Sequence, residues 1–321
     1  MVESTVIDRD TLAIFERTVR GVLAPPGVDV TAALDDVGWR DFLAADAASV
    51  VALVFGVLGE LLLASTALDD VAFATQGAVG EELRAAGYAC AHPRSVRPVC
   101  TRTEAELTVD AIVLGGRRDV PVALVDGERF VSVAAPALQW NPAAGIDPAL
   151  GLARVRGVVA IGDVEVHVDA EASAVVPACR RALAYELLGA TDAMLTMATE
   201  YAKVREQFGQ PIGAFQAVKH RLADVYVARQ AAAAVVEESW RSDPGCTTVA
   251  AKALAAHAGA RASENCLQVL GAIGFTLEHD LHRFLRRVKV LDRLHGSEHA
   301  LRTELGQLLG ARGRVPRPGA A

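Results

Sequence analysis

What most constrains the fold is a change of texture along the chain. Up to residue 87 the signal is helical. TLAIFERTVRGVL carries apolar residues at helical spacing, LDDVGWRDFL follows the break at Pro25–Pro26, and AASVVALVFGVLGELLLA (Ala47 to Ala64) reads as a buried helix. From 88 to 177 the runs LTVDAIVL, VPVALVDG, RFVSVAAP, RVRGVVAIG and VEVHVD are short, β-branched and separated by Gly, Pro and Asp. That is a pattern of strands and turns. Beyond Ala178 the helical signal returns and lasts to about Leu309, before the Gly/Pro/Arg-rich tail GARGRVPRPGAA. A block of strands between two blocks of helices makes an α+β protein, not an alternating parallel sheet. The expected division is a helical domain at 1–87, a small β-domain at 88–177, a helical bundle at 178–310 and a flexible tail at 311–321. No GxGxxG follows a strand and opens a helix, so a nucleotide, if bound, is held outside a Rossmann unit.

Charge and composition remove several functions. A net charge of −7 opposes binding to duplex DNA, and 5% aromatics oppose stacking on single strands, so no nucleic-acid partner is expected. Hydrophobic residues make up 52% of the chain, much of it Ala and Val, which favours helices packed closely through small side chains. Cys90, Cys100, Cys179, Cys246 and Cys266 are odd in number and form no CxxC pair, the usage of free thiols in a reducing cytoplasm. The opening MVESTVIDRD is acidic and polar and is not read as a signal peptide. Ala47–Ala64 holds Glu60 and two glycines, so a core helix is expected there, not a membrane span.

The run YAKVREQFGQPIGAFQAVKHRLAD, Tyr201 to Asp224, interrupts strong helical neighbours with Gly209, Pro211 and Gly213. It sets Arg205, Gln207 and Phe208 at the break and restarts at Phe215–Gln216. A guanidinium there can fork onto phosphate oxygens, and glutamine amides suit ribose hydroxyls or carbonyls. The alternative is that Arg205 caps the carbonyls of its own helix, expected from Arg180 to about Glu206. In LQVLGAIGF, Gln268 with Gly271 and Gly274 would let backbone approach a flat or phosphorylated ligand, or would serve close helix packing. His279, His282, His295 and His299 lie in the next segment, but no HExxH-type spacing accompanies them, so no metal site is expected.

In this order, YxxxREQFGxPIGxFQxxxHxLAD, QVLGxxGFxxEHDLHxxLRR and a late GS resemble the C-terminal domain of acyl-CoA dehydrogenases, over about Cys179 to Leu309. LDDVGWRDFL is more faintly similar to an early Leu-Glu-x-Leu-Gly-Trp segment of that family. The resemblance implies the acyl-CoA dehydrogenase fold, with an N-terminal helical domain, a β-domain and a C-terminal four-helix bundle. It implies FAD bound in extended form at a subunit interface, the flavin ring on one subunit and the ADP half gripped by its neighbour's bundle. Carried over residue by residue, Arg205 would meet the pyrophosphate. Gln207, Phe208, Phe215 and Gln216 would lie near the ADP and ribitol, and Gln268, Gly271 and Gly274 along the adenosine side, with Ala272 where the family often has Gly.

The same resemblance locates what is missing. Dehydrogenation needs a carboxylate base for the α-proton, and the family keeps it at one of two positions. Anchored on Gly296 and Arg302, the first holds His295; one residue before Arg180, the second holds Cys179. The Thr-Glu-Pro…Gly-Ser-Asp run that touches flavin and thioester has no counterpart in ACAHPRSVRPVCTRTEAELTVD, so the β-domain is read as reduced. No catalytic residue is therefore assigned. The pattern is similar to the degenerate subunit of actinobacterial heteromeric (α2β2) acyl-CoA dehydrogenases of steroid catabolism, which shares FAD with a homologous, complete partner and acts on an acyl-CoA substrate. Two alternatives stand beside it: a homomeric enzyme with its base relocated to Glu298 or Glu278, and a flavin-free scaffold.

Overall fold

The computed structural model describes residues 7–143, 145–242 and 244–313. They form two compact units. The first takes the chain up to Val54, Leu63–Ala182 and Arg293–Gly296; the second takes Phe55–Leu62, Leu183–Asp292 and the chain from Ser297 onward.

In the first unit, α1 (Arg9–Leu23) starts where the Asp8 carboxylate accepts from the Asp10 and Thr11 amides. It buries Phe15, Val19 and Leu23, one residue per turn. LDDVGWRDFL divides into α2 (Val30–Asp36) and α3 (Trp39–Ala45), with Trp39 fully buried. The first half of α4 (Ala47–Leu61), then α5 (Ala67–Ala74) and α6 (Gly77–Ala85), complete the helical part.

Eight strands follow, in two sheets of four. One has the order β1 (Ala89–Cys90), β4 (Val122–Asp126), β5 (Arg129–Val133), β8 (Val164–His167); the other has β2 (Cys100–Arg102), β3 (Glu106–Val113), β7 (Ala153–Ala160), β6 (Gln139–Pro142). All pairings are antiparallel except β1 with β4. In β3, Leu107, Val109 and Ala111 alternate inward, register with Val159, Gly157 and Val155, and join Leu124, Val131 and Val133 of the other sheet in one core. The strands legible in the sequence are β3, β4, β5, β7 and β8. β1 and β2 have two or three residues, and β6 (QWNP) has no β-branched residue.

α7 (Ala172–Val204) begins at Ala172, not at Arg180 as expected. Pro177 lies inside it and removes one backbone hydrogen bond near the start, while Ala172 and Val175 are buried. From Leu183 onward α7 belongs to the second unit, with the end of α4, α8 (Gln216–Glu238), α9 (Pro244–Leu270), α10 (Leu281–Arg293, through Asp292) and α11 (Glu298–Arg312). Between α10 and α11 the helical run breaks where His295 (φ +57°) and Gly296 (φ +112°) take positive φ. A Cβ on Gly59 would stand 2.0 Å from the Glu186 carbonyl oxygen, and one on Gly189 2.1 Å from that of Gly56. Backbone therefore touches backbone where α4 crosses α7. The buried Arg287 donates to Glu186 Oε1 (3.2 Å) and to the Leu62 carbonyl (3.1 Å). No helix among the described residues is long and apolar enough to cross a membrane. Most of the tail expected at 311–321 lies outside the described residues, and α11 runs to Arg312 before a left-handed cap at Gly313.

Candidate functional site

Two places carry the chemistry singled out in the sequence, one in each unit. In the second unit the break after α7 is a tight hairpin, β9 (Glu206–Gln207) against β10 (Gln210–Pro211). Its two loop residues, Phe208 and Gly209, both have positive φ (+55° and +78°), the conformation that a two-residue hairpin of this hand requires. Glycine adopts it freely; a phenylalanine there is an outlier, and this one is 94% exposed. Phe215, which precedes α8, meets the Phe208 ring edge-on at 6.1 Å.

The Arg205 backbone is fixed at both ends: its amide donates to the Tyr201 carbonyl (2.9 Å), and its carbonyl accepts from the Ile212 amide (2.7 Å). Its side chain is exposed and, among the described residues, takes no protein partner. The alternative expectation, a guanidinium capping its own helix, is thus not realised. Gln207, Gln216 and Gln268 are also exposed. α8 and α9 run antiparallel, since Arg221 bonds Asn265 (3.0 Å) and Arg261 lies 3.7 Å from Asp224. That register brings the start of α8, with Phe215 and Gln216, to the same end as Gln268. Gly271 has φ +61°, and the buried Gly274 packs on Leu267, Leu270 and Leu281. The corner thus gathers an unpaired cation, neutral amides and open backbone, a donor set suited to a phosphorylated, ribose-bearing ligand.

In the first unit, the two base positions come together. Cys179 and His295, with 0% and 1% exposure, converge on a third buried residue, His92, and the ligand atoms of all three lie within 4.8 Å of one another. His92 Nδ1 is 3.1 Å from His295 Nε2, and His92 Nε2 is 2.7 Å from Asp69 Oδ1. If the Asp69 carboxylate accepts from Nε2–H, a neutral His92 presents a bare Nδ1, and His295 donates Nε2–H to it. Asp69 also accepts from the Cys90 amide (3.2 Å) and lies 3.7 Å from Arg117. The backbone of His295 is held by the Pro93 carbonyl (3.0 Å) and by Arg180 Nε on its own carbonyl (3.2 Å). Burial, and then the nearby Asp69 charge, push the Cys179 thiol well above its ordinary range, so it stands neutral. A cavity of about 220 Å³ adjoins the cluster, lined by Pro93, Arg97, Val125, Val175, Arg180 and His295 among others.

His92 and Asp69 were not singled out in the sequence, where neither sits in a motif. The other histidines named there do not join this cluster: His279 Nδ1 accepts from the Leu281 amide, and His282 Nδ1 bonds the His279 carbonyl. Of the relocated-base candidates, Glu278 is exposed and Glu298 is held by His257 (3.0 Å) and Arg302 (3.2 Å).

Residues 174–309 match the family model for the acyl-CoA dehydrogenase C-terminal domain. Among curated proteins, the chain is similar to the acyl-CoA dehydrogenase IpdE2 of Mycobacterium tuberculosis, 34% identical over 197 residues that cover 61% of this chain and 57% of that protein. It is similar also to acyl-CoA dehydrogenase FadE34 of the same organism, 35% identical over 271 residues, 82% of this chain and 35% of that one. The matches thus span between about a third and somewhat over half of these relatives' length. Among solved structures, the ChsE4-ChsE5 complex from Mycobacterium tuberculosis superposes with a TM-score of 0.75 at 21% identity, covering 99% of both chains. A steroid ACAD, Tcur3481-Tcur3483, gives 0.74 at 19% identity, covering 95% of this chain and 99% of that one. At such identities the likeness is one of fold.

Proposed function

The chain has the acyl-CoA dehydrogenase fold and carries that family's C-terminal domain over residues 174–309, and from that premise we propose that it is the base-lacking subunit of a heteromeric, FAD-dependent acyl-CoA dehydrogenase. One observation carries this reading. Neither position at which the family keeps its carboxylate base holds one, and the residues there, Cys179 and His295, are buried with His92. A neutral thiol and an imidazole whose Nε2 faces another imidazole are poorly placed to take an α-proton. A homologous partner supplies the glutamate.

What this chain contributes is the other half of the cofactor site. Arg205 would hold the pyrophosphate of FAD. Gln207, Phe208, Phe215 and Gln216 would attend the ADP and ribitol, and Gln268, Gly271 and Gly274 the adenosine side. The fit rests on exposed amides, on a guanidinium without a protein partner among the described residues, and on the open backbone at Gly271. FAD, when bound, supplies the acceptor for the β-hydrogen as hydride. Val204, Phe208, Phe275 and Leu277 stand 74–94% exposed on this unit, apolar surface suited to burial against a subunit. The names of the fold's neighbours, a two-component complex and a steroid ACAD, favour a heteromeric assembly acting on a steroid-derived acyl-CoA. Its α2β2 stoichiometry follows the family resemblance, and its place in the cytoplasm follows the unpaired cysteine usage.

Kinetics of the complex test the division of labour. Replacing the partner's base glutamate by glutamine should lower kcat by about 10²–10⁴-fold. Glu298→Gln and Glu278→Gln in this chain should leave kcat within about threefold, under ~1 kcal/mol of barrier. A large loss from either, with flavin retained, would assign the base to this chain.

A further inference from the structure

We propose that His92, Cys179 and His295 form a buried binding site for one borderline-soft divalent cation of the Zn²⁺ class, with Asp69 orienting His92. Two imidazoles and a thiolate are the donors that such ions prefer, and three protein ligands leave a position open. The spacing between the nitrogens already suits an ion. With metal–nitrogen bonds of about 2.0–2.1 Å, nitrogens 3.1 Å apart subtend about 100° at the metal, near the tetrahedral angle. The widest separation among the three ligand atoms, at most 4.8 Å, involves the sulfur, which must close by up to roughly 1 Å to reach a tetrahedral edge.

Asp69 supplies the second, independent observation. Its Oδ1 lies 2.7 Å from His92 Nε2, with 4% of its side chain exposed, which is the carboxylate–histidine arrangement that fixes a ligand imidazole and directs its other nitrogen inward. On binding, Cys179 loses its proton to solvent, and the His295 proton passes from Nε2 to Nδ1, so that the Nε2 lone pair faces the ion in place of the hydrogen bond to His92. The thiolate and Asp69 then balance two positive charges. Arg117, 3.7 Å from Asp69, works against that balance, and Arg180 adjoins the His295 carbonyl. Both guanidiniums favour an anionic fourth ligand, such as hydroxide or chloride, entering from the cavity that His295 and Arg180 line. The ion would tie together three segments distant in sequence: the residues after β1, the start of α7 and the break before α11. It plays no part in the flavin chemistry.

The test uses the assembled complex, stripped with a chelator and titrated with Zn²⁺ and then Co²⁺. Metal content is measured by plasma emission, and the ligand set by zinc X-ray absorption and by cobalt bands at wavelengths beyond the flavin. Wild type should hold one ion more per copy of this chain than Cys179→Ser, with a signal of one sulfur and two or more nitrogens that the variant lacks. His92→Ala should lose the same ion, whereas Cys90→Ser, altering a neighbouring buried thiol outside the ligand set, should keep it. Asp69→Asn should weaken binding about 10–100-fold and keep the sulfur signal, as expected of an orienting group. Equal metal content in wild type, Cys179→Ser and His92→Ala, whether zero or supplied by surface histidines, would overturn the proposal. So would a bound ion without sulfur.

Discussion

His92 and His295 stand 203 residues apart in sequence and 3.1 Å apart in space, ring nitrogen to ring nitrogen. Cys179 belongs to the same cluster. Two alternative positions for one base ought to be neighbours, because each must reach the same substrate proton. Cys179 and His295, placed at those positions from separate stretches of sequence, bring their ligand atoms within 4.8 Å of one another.

Arg205→Ala should cost the assembled complex roughly 2–4 kcal/mol in FAD affinity, the loss of a charge-assisted phosphate contact at a partly desolvated site. Arg205→Lys should recover only part, since an ammonium keeps the charge without the fork. Titration of the apo-complex with FAD measures both. Wild-type affinity in the alanine variant would remove Arg205 from the cofactor site.

Two neighbouring glycines of α4 should answer oppositely to alanine. A Cβ on Gly56 meets nothing within 4 Å, so Gly56→Ala should stabilise the chain by up to about 1 kcal/mol through helix propensity. A Cβ on Gly59 would enter the Glu186 backbone at 2.0 Å, so Gly59→Ala must spread α4 from α7 and should cost about 3 kcal/mol or more. Thermal unfolding midpoints of the two variants separate these effects; a tolerated Gly59→Ala would refute the close crossing.

Asp70 gives a pH dependence of definite sign. Burial outweighs the attraction of Arg40, whose Nε lies 3.0 Å away, and pushes the carboxyl up to about 6 from 3.8. Between those values the folded chain holds a proton that the unfolded chain has released. Stability from this group therefore falls as pH rises through the window, by up to ~1.4 kcal/mol per unit, and levels off above about 6. Urea unfolding of wild type and Asp70→Asn, subtracted across pH 4–7, should display that fall, on the order of 3 kcal/mol in total. A difference curve that rises instead would mean that the ion pair outweighs burial.

The texture of the sequence revealed the order of elements because long strands and helices repeat a period many times. LTVDAIVL and β3 coincide almost residue for residue. Elements of two or three residues carry no period, so β1, β2 and the β9–β10 hairpin were invisible, and β6 (QWNP) lacks the β-branched residues that mark the equally short β8 (VEVH). Pro177 misled in another way: it reads as a boundary, yet burial of Ala172 and Val175 extends α7 past it. The break between α7 and α8 was legible since Arg205 to Gln216 is contiguous and its breakers are strong. The buried cluster was half legible. Family spacing located Cys179 and His295, but their meeting with His92 and Asp69 is a product of tertiary packing, and no local pattern encodes it.

Flavin content and native mass, measured for the chain alone and after co-expression with a complete, homologous acyl-CoA dehydrogenase subunit, test the central claim most directly. Alone, the chain should be colourless or prone to aggregate, because the cofactor corner is only half a site and Phe208, Phe275 and Leu277 are exposed. Together, the two should form an α2β2 heterotetramer with half the flavin of a homotetramer, one FAD for each copy of this chain, and should dehydrogenate a steroid-derived acyl-CoA. A monodisperse yellow homotetramer of this chain, active without any partner, would contradict it.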